Sequence, residues 1–182
     1  MNKINSGKRW ALAWGYVFLI FATLNWTRVP LTFLRDHGLL RPTLFLLFAI
    51  CFGSLIWHLI NLKGLQVWRI SILVIIFLTT YGISKDLASP EEQIHFLEYG
   101  LVGVLFLRSL EAQWGIQWKS YGMSLIMAGL VGWLDEVIQG ILPTRTYDVR
   151  DIYLNIISAL MGLIIFSLYP PKSGLAKSQV GP

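Results

Sequence analysis

The chain has 182 residues, 55% of them hydrophobic and only 14% charged, and its mean hydropathy is +0.60. A soluble domain carries about 25% charged residues, so this composition excludes an ordinary water-soluble fold and points to an all-α, polytopic membrane helix bundle. The net charge of +5 is spread over every loop, which argues against a nucleic-acid surface. The length gives about six spans of roughly 20 residues with short connections and no separate soluble domain. The single cysteine, Cys51, lies in an apolar run, which leaves no disulfide framework and no thiolate metal site and reads as a small buried residue.

Lys3, Lys8 and Arg9 precede an apolar run from Trp10 to Trp26. The run is long, aromatic and has no small-x-small cleavage pattern before Thr27, so it reads as a retained first span. The next stretch, TRVPLTFLRDHGLLRP, reads as a loop bounded by Pro30 and Pro42, with Leu31 to Leu34 dipping into the interface. A second span is expected from Thr43 to Asn61 and a third from Val67 to Gly82. His58, with no carboxylate one turn away, reads as a satisfied interfacial imidazole. After SKDLASPEEQ, Ser89 and Pro90 mark a helix start where Glu91 and Glu92 sit favourably on the helix dipole. That helix continues as IHFLEYGLVGVLFLRSL, followed by a loop around Glu111, Gln117 and Lys119. A fifth span is expected from Tyr121 to Leu142 and a sixth from Asp151 to Tyr169. The division is therefore 1–84, an N-terminal three-span region; 85–169, a polar three-helix region; and 170–182, a tail rich in Pro, Gly, Ser and Lys expected to be disordered.

With six spans and a cytoplasmic N-terminus, Lys3, Lys8, Arg9, Lys63, Arg69, Arg108, Lys119, Lys172 and Lys177 lie inside, nine in all. Arg28, Arg35, Arg41, Lys85, Arg145 and Arg150 lie outside, six in all. The positive-inside rule then puts both termini in the cytoplasm.

In this topology the start of the fourth span, the end of the fifth and the start of the sixth share the outer side. At 1.5 Å per residue, Glu98, Asp135 and Asn155 stand at similar depth, roughly 6 to 10 Å in. Asp135 and Gln139 share one helix face with Gly132, and Asp148, Asp151, Asn155, Ser158 and Gly162 form a polar and small stripe suited to close packing. Pro143 stops the fifth span, leaving Arg145 in the connection, where its planar cation suits a phosphate or carboxylate. Seven of the ten acidic residues belong to this group: Glu91, Glu92, Glu98, Asp135, Glu136, Asp148 and Asp151. Only His95, Arg145 and Arg150 oppose them, so some carboxylates are expected to be protonated, paired through a cation or open to water. A structural ion-pair network locking three helices is the alternative. The excess of acid favours a functional pocket, because Ser or Asn would serve packing as well.

The same residues in order, EEQIHFLEYG and WLDEVIQGILPTRTYDVRDIYLNIISALMG, resemble the VanZ-like family of small membrane proteins over about residues 85 to 168. The family pattern falls on Glu91, His95, Phe96, Glu98, Tyr99, Asp135, Glu136, Gln139, Pro143, Arg145, Asp148, Asp151, Asn155 and Gly162. Where the family usually has a lysine after the first acid, this chain has Glu92, which withdraws a cationic contact at that point. The family takes its name from a member linked to resistance to the glycopeptide teicoplanin. The resemblance implies a bacterial cytoplasmic-membrane protein acting near the envelope surface.

Three alternatives stay open for its activity. An enzyme on an envelope lipid or lipid-linked glycan would use His95 or Glu98 as general base and Asp135 and Glu136, with Asp148 and Asp151 beside them, as acids or cation ligands. Tyr99, Gln139, Arg145, Arg150 and Asn155 would bind the substrate. Oxygen ligands suit Mg²⁺ or Ca²⁺ better than zinc, since the group holds a single histidine. A proton-coupled transporter is the second alternative, weakened because the polar residues collect at one end. A non-catalytic accessory protein recognising a lipid or peptidoglycan precursor is the third.

The charge count predicts that Asp86 and Thr146 face outward. In a Cys51→Ser background, Asp86→Cys and Thr146→Cys should label with an impermeant thiol reagent in intact spheroplasts. Labelling only after lysis would reverse the topology.

Overall fold

The computed structural model describes residues 3–24, 26–62, 66–85, 90–142 and 147–169. Among them the chain is all-helical: α1 (Lys3–Thr23), α2 (Arg28–Asp36), α3 (Leu40–Ile60), α4 (Val67–Lys85), a 3-10 turn (Pro90–Gln93), α5 (Ile94–Trp114), α6 (Trp118–Ile141) and α7 (Val149–Ser167). By length and composition, α3, α6 and α7 can each cross a membrane. The tail from 170 onward and the connection holding Arg145 lie outside the described residues.

Three boundaries differ from expectation for local reasons. The stretch expected as a loop after Thr27 contains α2, because Pro30 falls in a first turn, where a missing N–H breaks no helical bond. Pro42 likewise sits in the first turn of α3 instead of ending a loop. Gly38, at φ +69°, makes the reversal between α2 and α3. α5 runs three residues past Glu111 and ends at Gly115, whose φ of +80° closes the helix, so Glu111 is a buried helical residue and not part of a loop.

α5 is the central element, packed by α1, α6 and α7. It runs parallel to α7, since Phe96 packs in one cluster with Leu154 and Arg108 lies over Phe166. It is antiparallel to α1: Arg9 donates to the Arg108 carbonyl at 2.9 Å, and Trp14 meets Phe106 edge-on at 5.2 Å. The seam with α7 is made by small residues, as the stripe on the last span predicts. A Cβ on Gly162 would run into the Gly100 carbonyl, and one on Gly103 would come within 3.1 Å of the Ala159 carbonyl. Against α6, Gly132 leaves room for the Asn155 side chain. Without a hydrophobic driving force between helices in lipid, such backbone approach is what holds a bundle.

The main apolar core joins Ala13, Val17 and Ile20 of α1 to Tyr99, Val102 and Phe106 of α5, Ala128 and Val131 of α6, and Ala159 of α7. The α3–α4 hairpin docks separately on the α5–α7 pair. One cluster, Phe48, Phe52 and Ile76 with Phe96 and Leu154, fastens it at the end where α5 begins. Leu59 and Leu73 with Leu168 fasten it at the other end.

Gly162→Ala should push α5 and α7 apart and lower stability by about 1 to 3 kcal/mol, the usual cost of overpacking. Gly53→Ala, with open space around it, is the control and should be neutral or slightly stabilising. Thermal melts in detergent that leave the two variants equal would contradict the seam.

Candidate functional site

The antiparallel run of α6 between the parallel α5 and α7 brings the start of α5, the end of α6 and the start of α7 to one end of the bundle. There His95, Glu98, Tyr99, Asp135, Glu136, Gln139, Asp148, Asp151 and Asn155 come together. His95 and Tyr99, one turn apart on α5, are buried with ring planes 13° apart and centroids 5.8 Å apart. The Tyr99 hydroxyl faces the Asp135 carboxyl and lies within electrostatic reach of Glu98 and Glu136. On α6, Gln139 Nε2 donates to Asp135 Oδ2 at 3.0 Å, one turn apart as their spacing predicts. Asp135 and Glu136 are completely buried.

Glu136 is the junction between α6 and α7. Its Oε2 accepts the Asp148 backbone N–H at 3.1 Å, and Asp135, Asp148 and Asp151 all lie within electrostatic reach of its carboxyl group. Its Oε1 is buried without a hydrogen bond among the described residues. Asn155, also completely buried, directs Nδ2 toward the Gly132 carbonyl at 3.4 Å, while its Oδ1 has no hydrogen-bond partner among the described residues. Ser158, one turn further, donates to the Leu154 carbonyl within α7 and is occupied there.

Two residues have roles that spacing alone did not distinguish. Asp148 is the N-cap of α7, its Oδ1 accepting the Arg150 backbone N–H at 2.8 Å, so part of its conservative job is to close the helix start. Arg150 is exposed and does not join the buried group. Asp151 is half-buried on the site side. Arg145 lies outside the described residues, as does the side chain of Glu91.

One neighbour escaped the sequence. Tyr16 of α1 stands within electrostatic reach of Glu98, so the first helix supplies a hydroxyl to the edge of the polar group. Nothing in its spacing marks Tyr16, since it is one aromatic among many in an apolar run. Among the described residues, no group of three or more His, Cys, Asp or Glu side chains is disposed to hold a metal ion.

A second charged group sits at the far end of α5. Buried Glu111 is 3.8 Å from the Arg108 guanidinium, and Arg9 lies close by on α1. Between the two groups the facing surfaces are mainly apolar, through Val102, Phe106, Ala128 and Val131, with buried Ser124 donating across them to the Gly103 carbonyl at 2.6 Å.

An all-helical chain with membrane-length helices and a buried acidic and amide group at one bundle end defines a helical membrane protein. The family model described as VanZ/LLP1 matches residues 10–170, most of the chain, and the protein belongs to that VanZ-like family. The match reaches well before residue 85, so α2 to α4 and α1 from Trp10 onward fall within the family's extent along with the polar region. No curated protein and no solved structure matches the chain.

Proposed function

We propose that the polar end of the bundle is a binding site for the head group of an envelope lipid or lipid-linked glycan precursor, facing the extracytoplasmic side of a bacterial cytoplasmic membrane. The observation that carries this is the crowding of Asp135, Asp148 and Asp151 around buried Glu136, with Glu136 Oε1 and Asn155 Oδ1 buried and not hydrogen-bonded among the described residues. Mutually repelling carboxyl groups and unmet acceptors cost a fold free energy. A ligand rich in hydroxyl or amide donors would meet both needs, and sugars supply such donors.

Within that site each residue has a chemical part. On this reading His95 or Glu98 takes a proton and Asp135, facing the Tyr99 hydroxyl, holds or delivers one, while the Gln139 hydrogen bond keeps the Asp135 carboxyl oriented. Arg145, in the connection after Pro143, supplies a fork for a phosphate or carboxylate. A role in glycopeptide resistance would follow if the bound precursor is the one such antibiotics recognise.

A proton-coupled transporter draws some support from the buried Glu111 at the far end. Between Glu111 and Tyr99 the core is mainly apolar, and the buried Ser109, Ser120 and Ser124 hydroxyls each donate to a backbone carbonyl instead of to one another, so we favour the binding site.

Asp135→Asn keeps side-chain volume and an acceptor for Gln139, so the variant should accumulate normally and melt within a few degrees of wild type. It should nevertheless abolish the phenotype that the protein confers in a deletion strain, as should Arg145→Lys, which keeps charge but loses the planar fork. Comparing lipid extracts of the wild-type and deletion strains then separates enzyme from binder. Full activity of both variants would remove these residues from the site. Variants missing from the membrane on immunoblots would instead indicate a structural network, whose disruption costs about 3 to 5 kcal/mol.

A further inference from the structure

On the face of α5 opposite the polar group lies a cleft of about 260 Å³ between the α3–α4 hairpin and the α5–α7 pair. It exists because the hairpin is fastened only near its two ends, by the Phe48–Phe96 cluster and the Leu59–Leu168 cluster. Cys51 and Leu55 form one wall, Leu97, Leu101 and Val104 a second, and Met161 and Ile165 a third. Leu101 is 44% exposed, so the cleft opens sideways toward the surrounding lipid. From Leu97 to Val104 the wall on α5 extends over seven residue steps, about 10 Å.

Water does not suit this space. A buried water needs two to four polar partners, and the two hydroxyls in the lining are spent: Thr80 on Met161 Sδ at 3.5 Å and Tyr169 on the Leu55 carbonyl at 2.9 Å. An empty cleft would forfeit dispersion contacts along all three walls. What surrounds a membrane bundle at this depth is hydrocarbon.

The far end of the cleft adds a charge. Leu97, Leu101, Val104 and Arg108 recur at four, three and four residues, so Arg108 continues the cleft-facing row of α5. Its guanidinium lies 5.5 Å from the ring of Phe166, itself part of the lining. Its ion pair with Glu111, at 3.8 Å, is longer than a charge-assisted hydrogen bond, and its side chain is 44% exposed. Arg69, one turn before the Leu73 that fastens the same end, has Nε buried without a hydrogen bond among the described residues.

We propose that the cleft holds one acyl chain of an anionic phospholipid, with its phosphate on Arg108. The leaflet is the one at the C-terminal end of α5, which the charge count expects to be cytoplasmic. This site lies apart from the polar end and does not depend on its function. The seated chain fills the gap between hairpin and core, and the head group uses donors that Glu111 leaves open.

The test is photolabelling in bilayer nanodiscs doped with either phosphatidylglycerol or phosphatidylcholine carrying a mid-chain diazirine, with adducts mapped by mass spectrometry. Phosphatidylglycerol adducts should be at least threefold denser at Cys51–Leu55 and Leu101–Val104 than at Leu46 and Ile50, which point outward from α3. The phosphatidylcholine probe should label the cleft at least threefold less. Arg108→Gln should erase that head-group preference and Arg108→Lys should keep it. Leu101→Trp, at a half-exposed position that tolerates bulk, should cut cleft labelling without changing Arg108. Even labelling over all lipid-facing surfaces would overturn the proposal. So would equal labelling by both probes, a preference that survives Arg108→Gln, or Cys51 cross-linking to a second copy in place of lipid.

Discussion

The close approach of α5 and α7 at Gly100 and Gly162 is the constraint on which the rest of the structure depends. A Cβ at Gly162 would run into the Gly100 backbone and hold the two helices apart, and one at Gly103 would press on Ala159. With the backbones in contact, α6 can lie across both, and Asn155 of α7 fits into the room left by Gly132 of α6. The polar group therefore has a fixed frame although its members are spread over three helices. The same seam gives α5 two unlike faces. One carries His95 and Tyr99 toward α6, and the other carries Leu97, Leu101 and Val104 toward the hairpin.

Charge follows this frame in an uneven way. At the far end, Glu111 is offset in charge by Arg108 and by nearby Arg9, although its Oε1 too has no hydrogen bond among the described residues. At the polar end, Glu136 has three aspartates around it and, among the described residues, one backbone donor. Balanced buried ions are weak evidence for function, since they break even at best. The crowding of carboxyl groups around Glu136 is harder to explain by packing, and it is where a donor-rich ligand would be stabilising.

Much of this was legible because helix spacing is a strong constraint on apolar sequence. The intervals within Asp135–Gln139 and Asp151–Asn155–Ser158–Gly162 put those residues on shared faces, and their order carried the family resemblance. Other features depend on relations that spacing does not encode. Tyr16 reaches Glu98 across some eighty residues of chain, through an α1–α5 pairing that no local pattern announces. Asp148 and Asp151 look alike in the stripe, and only the helix start distinguishes the cap from the site residue. α2 was hidden because two prolines within a short polar stretch resemble turn signals, whereas each occupies a first turn. Glu111 looked like a loop residue for lack of any visible partner, and its partners are Arg108 on the preceding turn and Arg9 from another helix.

The central claim is that the acidic group is maintained for a ligand at the expense of stability. The most direct measurement is the thermal melt of Glu136→Gln beside its function. Glutamine keeps the shape and an acceptor for the Asp148 N–H while removing repulsion with three aspartates. The account predicts a melting temperature equal to or above that of wild type, together with loss of the conferred phenotype. A variant that melts well below wild type, or that keeps full function, would contradict it.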